Sequence, residues 1–267
     1  MKNYKRVLSI AGSDSGGGAG IQADLKTISA LGCYGMTAIT AITAQNTQGV
    51  FAIHPIPAEI VVKQIEVVID DIGVDAVKIG MLHSAELIEA IADVLERKSV
   101  GNIVLDPVMV ATSGDRLIQE EAVNILKSRL IPLSTVLTPN MPEAEVLLGR
   151  KLENDRKDLL SLSELGAGSV LLKGGHGEGE ICADWFMDAS GKILSFQNSK
   201  IDTKNTHGTG CTLSSAIASY LAKGMTKDDA VGSGIEYIHQ AIKQGADYRL
   251  GQGHGAVKHF YLYKNWD

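Results

Sequence analysis

Residues 7–31 read VLSIAGSDSGGGAGIQADLKTISAL, and this stretch decides the fold. Val7–Ala11 is short, apolar and rich in β-forming side chains, which predicts a strand. A run of small residues follows. Ile21, Leu25, Ile28 and Leu31 then recur at i, i+4, i+7 and i+10, which predicts a helix over Ile21–Leu31 stopped by Gly32. Strand, glycine-rich loop and helix form the opening unit of an α/β domain. The loop lacks the G-K-[ST] of a phosphate-binding P-loop. Ile21 breaks the G-x-G-x-x-G dinucleotide pattern begun by Gly16 and Gly18. It is either a tight strand-to-helix turn or a loop whose glycines let backbone approach a ligand.

The same alternation continues outward. Strands are expected at Met36–Ala44, Ala76–Ile79, Ile103–Leu105, Thr135–Leu137 and Val170–Leu172. Helices are expected at Pro57–Ile72, with Pro57 as first helical residue, and at Ser84–Arg97, capped by Ser84. Further helices are expected at Glu120–Leu130, Pro142–Leu148 and Asp158–Leu165. Cys182–Met187 and Ile193–Phe196 flank Ala189-Ser190-Gly191 and read as a hairpin. Two helices, near Cys211–Ala222 and Lys227–Ala246, and a short strand near His259–Tyr263 close the chain. The pattern predicts one α/β domain over residues 1–267. It is a three-layer α/β/α sandwich with a mainly parallel central sheet and an antiparallel edge.

Composition narrows the function. Glycine is 29 of 267 residues, so backbone must bend or approach something closely at many points. Net charge is −6, which gives no basic footprint for nucleic acid. No apolar run reaches the ~20 residues of a membrane span. The run after the basic N-terminus is too short for a secretion signal. Three cysteines without a C-x-x-C argue for a reducing cytoplasm rather than disulfides or zinc.

Polar residues gather where strands end, the edge where open α/β sheets bind ligands. Gly12–Gly20, Gln45-Asn46, Gly80-Met81, Asp106-Pro107-Val108, Thr138–Glu143 and Lys173–His176 follow successive strands. Asn205–Thr212 (NTHGTGCT) opens a late helix. Glycines at a helix start leave amides free to hold a phosphate, with the helix dipole behind them. Cys211 sits at that N-terminus, where a thiol pKa is expected to fall; the alternative is a small buried hydrophobe. Cys33 and Cys182 are expected to be such hydrophobes, and His176 and His207 to be loop histidines. Asp106 and Glu143, with Asn140 one turn earlier, supply hard oxygen ligands for Mg²⁺ or, alternatively, cap helices. Lys173 is either a phosphate-neutralising cation or a surface lysine. The Gly175–Gly179 stretch (GHGEG) is a candidate mobile flap.

Taken together, AGSDSGGGAGIQADLK (Ala11–Lys26), TAQNT (Thr43–Thr47), KIGML (Lys78–Leu82), LDPVM (Leu105–Met109), TPNMPEA (Thr138–Ala144), LKGGH (Leu172–His176) and NTHGTGCT (Asn205–Thr212) resemble the hydroxymethylpyrimidine/phosphomethylpyrimidine kinases of thiamine biosynthesis. These belong to the ribokinase-like superfamily. The resemblance runs in order from about Val7 to His239. It implies ATP-dependent, Mg²⁺-assisted phosphorylation of 4-amino-5-hydroxymethyl-2-methylpyrimidine and then of its monophosphate. It implies that Gln45 bonds the aminopyrimidine edge and that Gly12, Met81 and Val108 line the pyrimidine pocket. Gly208 and Gly210 match the anion hole, Asn140 and Glu143 the motif that organises Mg²⁺ and phosphates with Asp106 beside it, and Lys173 a phosphate contact. Cys211 stands where sugar kinases of the superfamily place an Asp base, so it is expected to take or orient the hydroxymethyl proton. Gly16 departs from the Ser common among relatives. A homodimer is suggested. The rival reading is a cysteine-type pyridoxal kinase. From a different class, a dehydrogenase is disfavoured by the missing dinucleotide fingerprint and the strand-end carboxylates, while a nucleotide-binding regulator would show as binding of ATP and pyrimidine without phosphate transfer.

Overall fold

The computed structural model describes residues 2–109, 120–174 and 180–263. The chain begins β1 (Arg6–Asp14), α1 (Gly20–Ala30), β2 (Tyr34–Asn46), β3 (Gly49–Pro55), α2 (Ala58–Asp71), β4 (Ala76–Ile79), α3 (Ala85–Arg97) and β5 (Ile103–Leu105). It continues with α4 (Glu120–Ile125), β6 (Val136–Leu137), α5 (Met141–Leu148), α6 (Asp155–Ser163) and β7 (Ser169–Leu172). β8 (Ile181–Asp188), β9 (Ile193–Ser199), α7 (Thr209–Ala222) and α8 (Lys227–Gly245) complete it. Among the described residues nine strands form one sheet in the order β3-β2-β1-β4-β5-β6-β7-β8-β9. Pairs from β2 to β7 are parallel, while β2–β3, β7–β8 and β8–β9 are antiparallel.

Side-chain alternation along each strand sorts the core into two layers. Leu8, Ile10, Val77, Ile79, Ile103, Leu105 and Val170 point to one core, shared with α2 to α6. Val7, Ala76, Val104, Val136 and Leu171 point to the other, shared with α7 and α8. Strands buried on both faces carry near-continuous Val, Ile and Leu, as a helix-covered parallel sheet requires. The order reverses at β1, which has β2 on one side and β4 on the other. A crevice at such a switch point, beyond the carboxyl strand ends, is where this architecture takes ligands.

Several expectations change. β2 runs two residues past Ala44, to Asn46, and pairs with β3, a second antiparallel edge absent from the sequence reading. β3 is almost wholly exposed and lacks the buried stripe that periodicity detects. Pro57 is the cap of α2 rather than its first helical residue. The helix expected over Glu120–Leu130 persists, but as α4 followed by a π turn at Leu126–Leu130 and a 3₁₀ turn holding Pro132. No strand forms near His259–Tyr263. That segment makes turns, held where the Tyr237 hydroxyl donates to the His259 carbonyl.

Candidate active site

β1 delivers Asp14 to the start of the glycine loop, and Asp14 then organises it. Its carboxylate accepts from the amides of Gly16 at 2.8 Å, Gly18 at 3.0 Å and Ala19 at 2.8 Å. The fourth partner is His207 Nε2, 2.8 Å away. Burial opposes the charge, but His207 and the Ala19 and Gly16 amides hold the Asp14 carboxyl below its ordinary value. His207 is therefore no plain loop histidine, because it is buried and hydrogen-bonded to the Asp14 carboxylate of the opposite loop. A Cβ on Gly18 would lie 2.3 Å from the His207 ring, and one on Gly208 would lie 1.8 Å from the Gly18 carbonyl oxygen. The two glycine segments touch backbone to backbone.

Gly208 is the cap of α7, with φ +80°. Helix starts leave their first amides without intrahelical acceptors. Here Gly210 and Cys211 bring that turn to the wall of a cavity of about 740 Å³. A Cβ on Gly210 would sit 3.3 Å from Asp106 Oδ2 and 3.5 Å from Lys173 Nζ, so the helix start faces this pair directly. Lys173 Nζ is 2.8 Å from Asp106 Oδ1 and 4.0 Å from Glu143 Oε2. It is a buried-site cation, not a surface lysine; the carboxylates keep it protonated against its burial.

Asn140 and Glu143 form a reciprocal capping box on α5. Glu143 N donates to Asn140 Oδ1 at 2.9 Å, and Asn140 N donates to Glu143 Oε2 at 2.8 Å. Burial pushes Glu143 up to about 7; Lys173 opposes this, Asp106 adds to it, and the Asn140 and Met109 amides oppose it. Two carboxylates thus converge on one ammonium. Among the described residues no group of three or more His, Cys, Asp or Glu gathers as a metal cage. Such a donor set fits a hard divalent cation that keeps waters and borrows phosphate oxygens. The Asn140 backbone N–H positions the Glu143 carboxylate, while the Asn140 side-chain oxygen is occupied by the Glu143 backbone N–H.

The expectation for Cys211 is reversed. Burial raises its thiol to about 11; Lys78 and the Gly20 amide oppose the shift, and Asp24 and Asp106 reinforce it. Desolvation and two nearby carboxylates outweigh the positive end of α7. Beneath it lies a cluster that sequence reading passed over. Asp24 accepts from Ser9 Oγ at 2.6 Å, Lys78 Nζ at 2.9 Å and Ser215 Oγ at 2.7 Å. Lys78 and Asp24 are wholly buried, and Asp24 keeps Lys78 charged despite desolvation. The available signal was a lysine inside the buried strand Ala76–Ile79.

Along the same cavity, Gly12 lies against Met81, since a Cβ there would be 3.3 Å from Met81 Sδ. The Thr40 hydroxyl donates to the Met81 carbonyl at 2.9 Å. Ser15 Oγ donates to the Gln45 carbonyl at 2.7 Å and accepts from the Gln45 amide N–H at 2.8 Å. Val108 joins the same wall, so all eleven residues marked in the sequence border one cavity. Cys182 also lines it and is only partly buried, unlike Cys33, because β8 is near the sheet edge. Asp184, also unmarked, lines it while accepting from the Gly174 amide at 2.9 Å. His176 and the Gly175–Gly179 flap lie outside the described residues.

The family model described as phosphomethylpyrimidine kinase matches residues 14–258. A hydroxymethylpyrimidine/phosphomethylpyrimidine kinase of Haemophilus influenzae is 47% identical over 266 residues, covering 97% of this chain and 98% of that protein. The crystal structure of a phosphomethylpyrimidine kinase from Clostridium difficile is 46% identical with a TM-score of 0.79, covering 89% of this chain and 99% of that one. A Staphylococcus aureus pyridoxal kinase in complex with AMP-PCP and pyridoxal is 32% identical with a TM-score of 0.89, covering 99% of this chain and 96% of that one.

Proposed function

Because the chain belongs to the phosphomethylpyrimidine kinase family and is a phosphotransferase, we propose a specific reaction for its cavity. It transfers the terminal phosphoryl group of ATP to the hydroxymethyl oxygen of 4-amino-5-hydroxymethyl-2-methylpyrimidine, then phosphorylates the monophosphate to the diphosphate, in thiamine biosynthesis. The observation behind this is the layout of one cavity. It is lined both by the Gln45 amide with Gly12, Met81 and Val108 and by a glycine helix start beside a lysine and two carboxylates.

Gly12, Met81 and Val108 hold the ring, and Gln45 bonds its amino edge. The hydroxymethyl oxygen attacks the terminal phosphorus as the bond to the departing ADP oxygen breaks. Charge gathers on the transferring oxygens, where the amides at Gly208 and Gly210 and the Lys173 ammonium stabilise it. A thiol raised to about 11 is neutral at pH 7, so Cys211 orients the alcohol rather than standing ready as a base. Loose phosphoryl transfer leaves the alcohol proton in place until bonding is advanced, and it then passes to an oxygen of the transferred phosphoryl group, which relaxes the need for a protein base. Asp106 and Glu143 would hold Mg²⁺, with Asn140 positioning Glu143; that ion supplies charge neutralisation across the phosphates.

The chain acts as one domain over residues 1–267, on small molecules, in the cytoplasm, and as a homodimer. Support for the compartment is the three free cysteines. Support for the dimer is the edge hairpin β2–β3, which exposes Ile42, Phe51 and Ile53. Among the described residues no helix is long and apolar enough to cross a membrane. The test is ATP- and Mg²⁺-dependent phosphorylation of the free pyrimidine and its monophosphate, with pyridoxal in parallel. Turnover on both pyrimidines is expected, above that on pyridoxal; turnover on pyridoxal alone would overturn the assignment.

A further inference from the structure

Resting on that reading of the substrate, the geometry points to Thr43 as the positioning residue that decides which end of the Gln45 amide meets the substrate, and hence which ring the site prefers. Thr43 lies opposite Asp14 in the β1–β2 register, is 4% exposed and borders the cavity. Its Oγ1 is 2.8 Å from the Ser13 carbonyl oxygen and 3.1 Å from Gln45 Oε1.

A hydroxyl has one proton to give and two lone pairs to receive. With Gln45 Oε1 turned toward it, Thr43 faces two acceptors and can serve only one. The Ser13 carbonyl is nearer and fixed in the backbone, whereas the Gln45 amide turns about its last bond. Half a turn satisfies every group. Thr43 then donates to Ser13, Gln45 Nε2 donates to Thr43, and the chain of bonds is mutually reinforcing. Gln45 Oε1 is left facing the cavity as an acceptor. This is the substrate-binding arrangement.

The consequence is chemical. On the aminopyrimidine, the group next to the hydroxymethyl carbon is an amine, which donates. On pyridoxal, the group in the equivalent place is an aldehyde, which only accepts. An amide oxygen held outward by Thr43 bonds the first and repels the second. Pyridoxine, with an alcohol there, can donate and falls between them. Without the Thr43 hydroxyl, the amide is free to turn its NH₂ group outward and serve an aldehyde.

Thr43→Val keeps the shape and removes the hydroxyl, and Thr43→Ser keeps the hydroxyl. Steady-state kinetics on the pyrimidine, pyridoxine and pyridoxal are compared for the three proteins. Thr43→Val is expected to raise the pyrimidine KM about five- to tenfold with little change in kcat, while pyridoxal is unchanged or improved. The pyrimidine-to-pyridoxal and pyridoxine-to-pyridoxal ratios of kcat/KM should both fall, and Thr43→Ser should restore both. An equal loss on all three substrates, or unchanged ratios, would overturn the role of Thr43. Should the pyrimidine not be a substrate at all, the functional reading fails instead. The pyridoxine-to-pyridoxal ratio then still decides the role of Thr43, by falling or holding in Thr43→Val.

Discussion

Asp14 Oδ2 stands 2.8 Å from Nε2 of His207, a residue 193 positions later in the chain. This one contact joins the loop after β1 to the loop before α7. The same carboxylate holds three loop amides, so the shape of both glycine segments depends on it.

Removing that carboxylate should therefore damage both loops together. Asp14→Ala strands buried amides and the His207 ring, at a cost of about 3 kcal/mol. Thermal unfolding should show a clearly lowered Tm, and kcat/KM should drop at least about tenfold. An unchanged Tm would mean the loops hold their shape without Asp14.

The two glycines at the start of α7 should respond differently to alanine. Gly208 has φ +80° and no room beside the Gly18 carbonyl, so Gly208→Ala is expected to destabilise the fold. Gly210 has no such strain, and its added methyl would meet Asp106 and Lys173 at 3.3–3.5 Å. Gly210→Ala should keep its Tm within a few degrees while kcat falls about 100-fold. Paired melting curves and initial rates separate the two cases; similar behaviour of both variants would contradict the geometry.

Cys211 should be a slow thiol. The thiolate is the reactive form, and burial pushes this one up to about 11. Alkylation by iodoacetamide, followed at Cys211 by peptide mass spectrometry, should speed up about tenfold per pH unit with no plateau below pH 10. In unfolded protein the same residue should level off near the ordinary thiol range. A plateau below pH 8 in the folded protein would restore the activated-thiolate picture.

His259 should make the fold acid-sensitive. Burial lowers its imidazole to about 4, with the Lys26 and His207 charges adding, and its Nε2 is 3.1 Å from Thr212 Oγ1. The unfolded chain takes up this proton near pH 6.5, the folded one only near 4. The stabilisation is therefore complete above about pH 6.5 and is lost as pH falls toward 4, by about 3 kcal/mol. The raised Glu143 gives an opposite slope over about pH 4.5–7, so the readout is the difference in urea stability between the wild type and His259→Gln, which should fall by about 3 kcal/mol between pH 6.5 and 4. A slope identical in both proteins would assign the effect elsewhere.

The layered fold was legible because it is written in local periodicity. Alternating strand and helix signals, caps such as Ser84 and stops such as Gly32 depend on neighbours a few residues apart. The strand-end motifs were legible for a related reason: a parallel sheet sends every strand end to one edge. The β2–β3 hairpin escaped because an exposed edge strand has no buried stripe to reveal it.

Sequence alone determined the strand–helix alternation apart from β3 and the chain end, the strand-end edge where the polar motifs gather and eleven of the residues that line the cavity. Tertiary structure decided how those residues behave. It gave His207 its partner, put Lys78 and Asp24 together in the interior, and turned Cys211 from an expected thiolate into a neutral thiol. Charge state depends on desolvation and on distances between groups far apart in the chain, and neither quantity exists until the chain has folded.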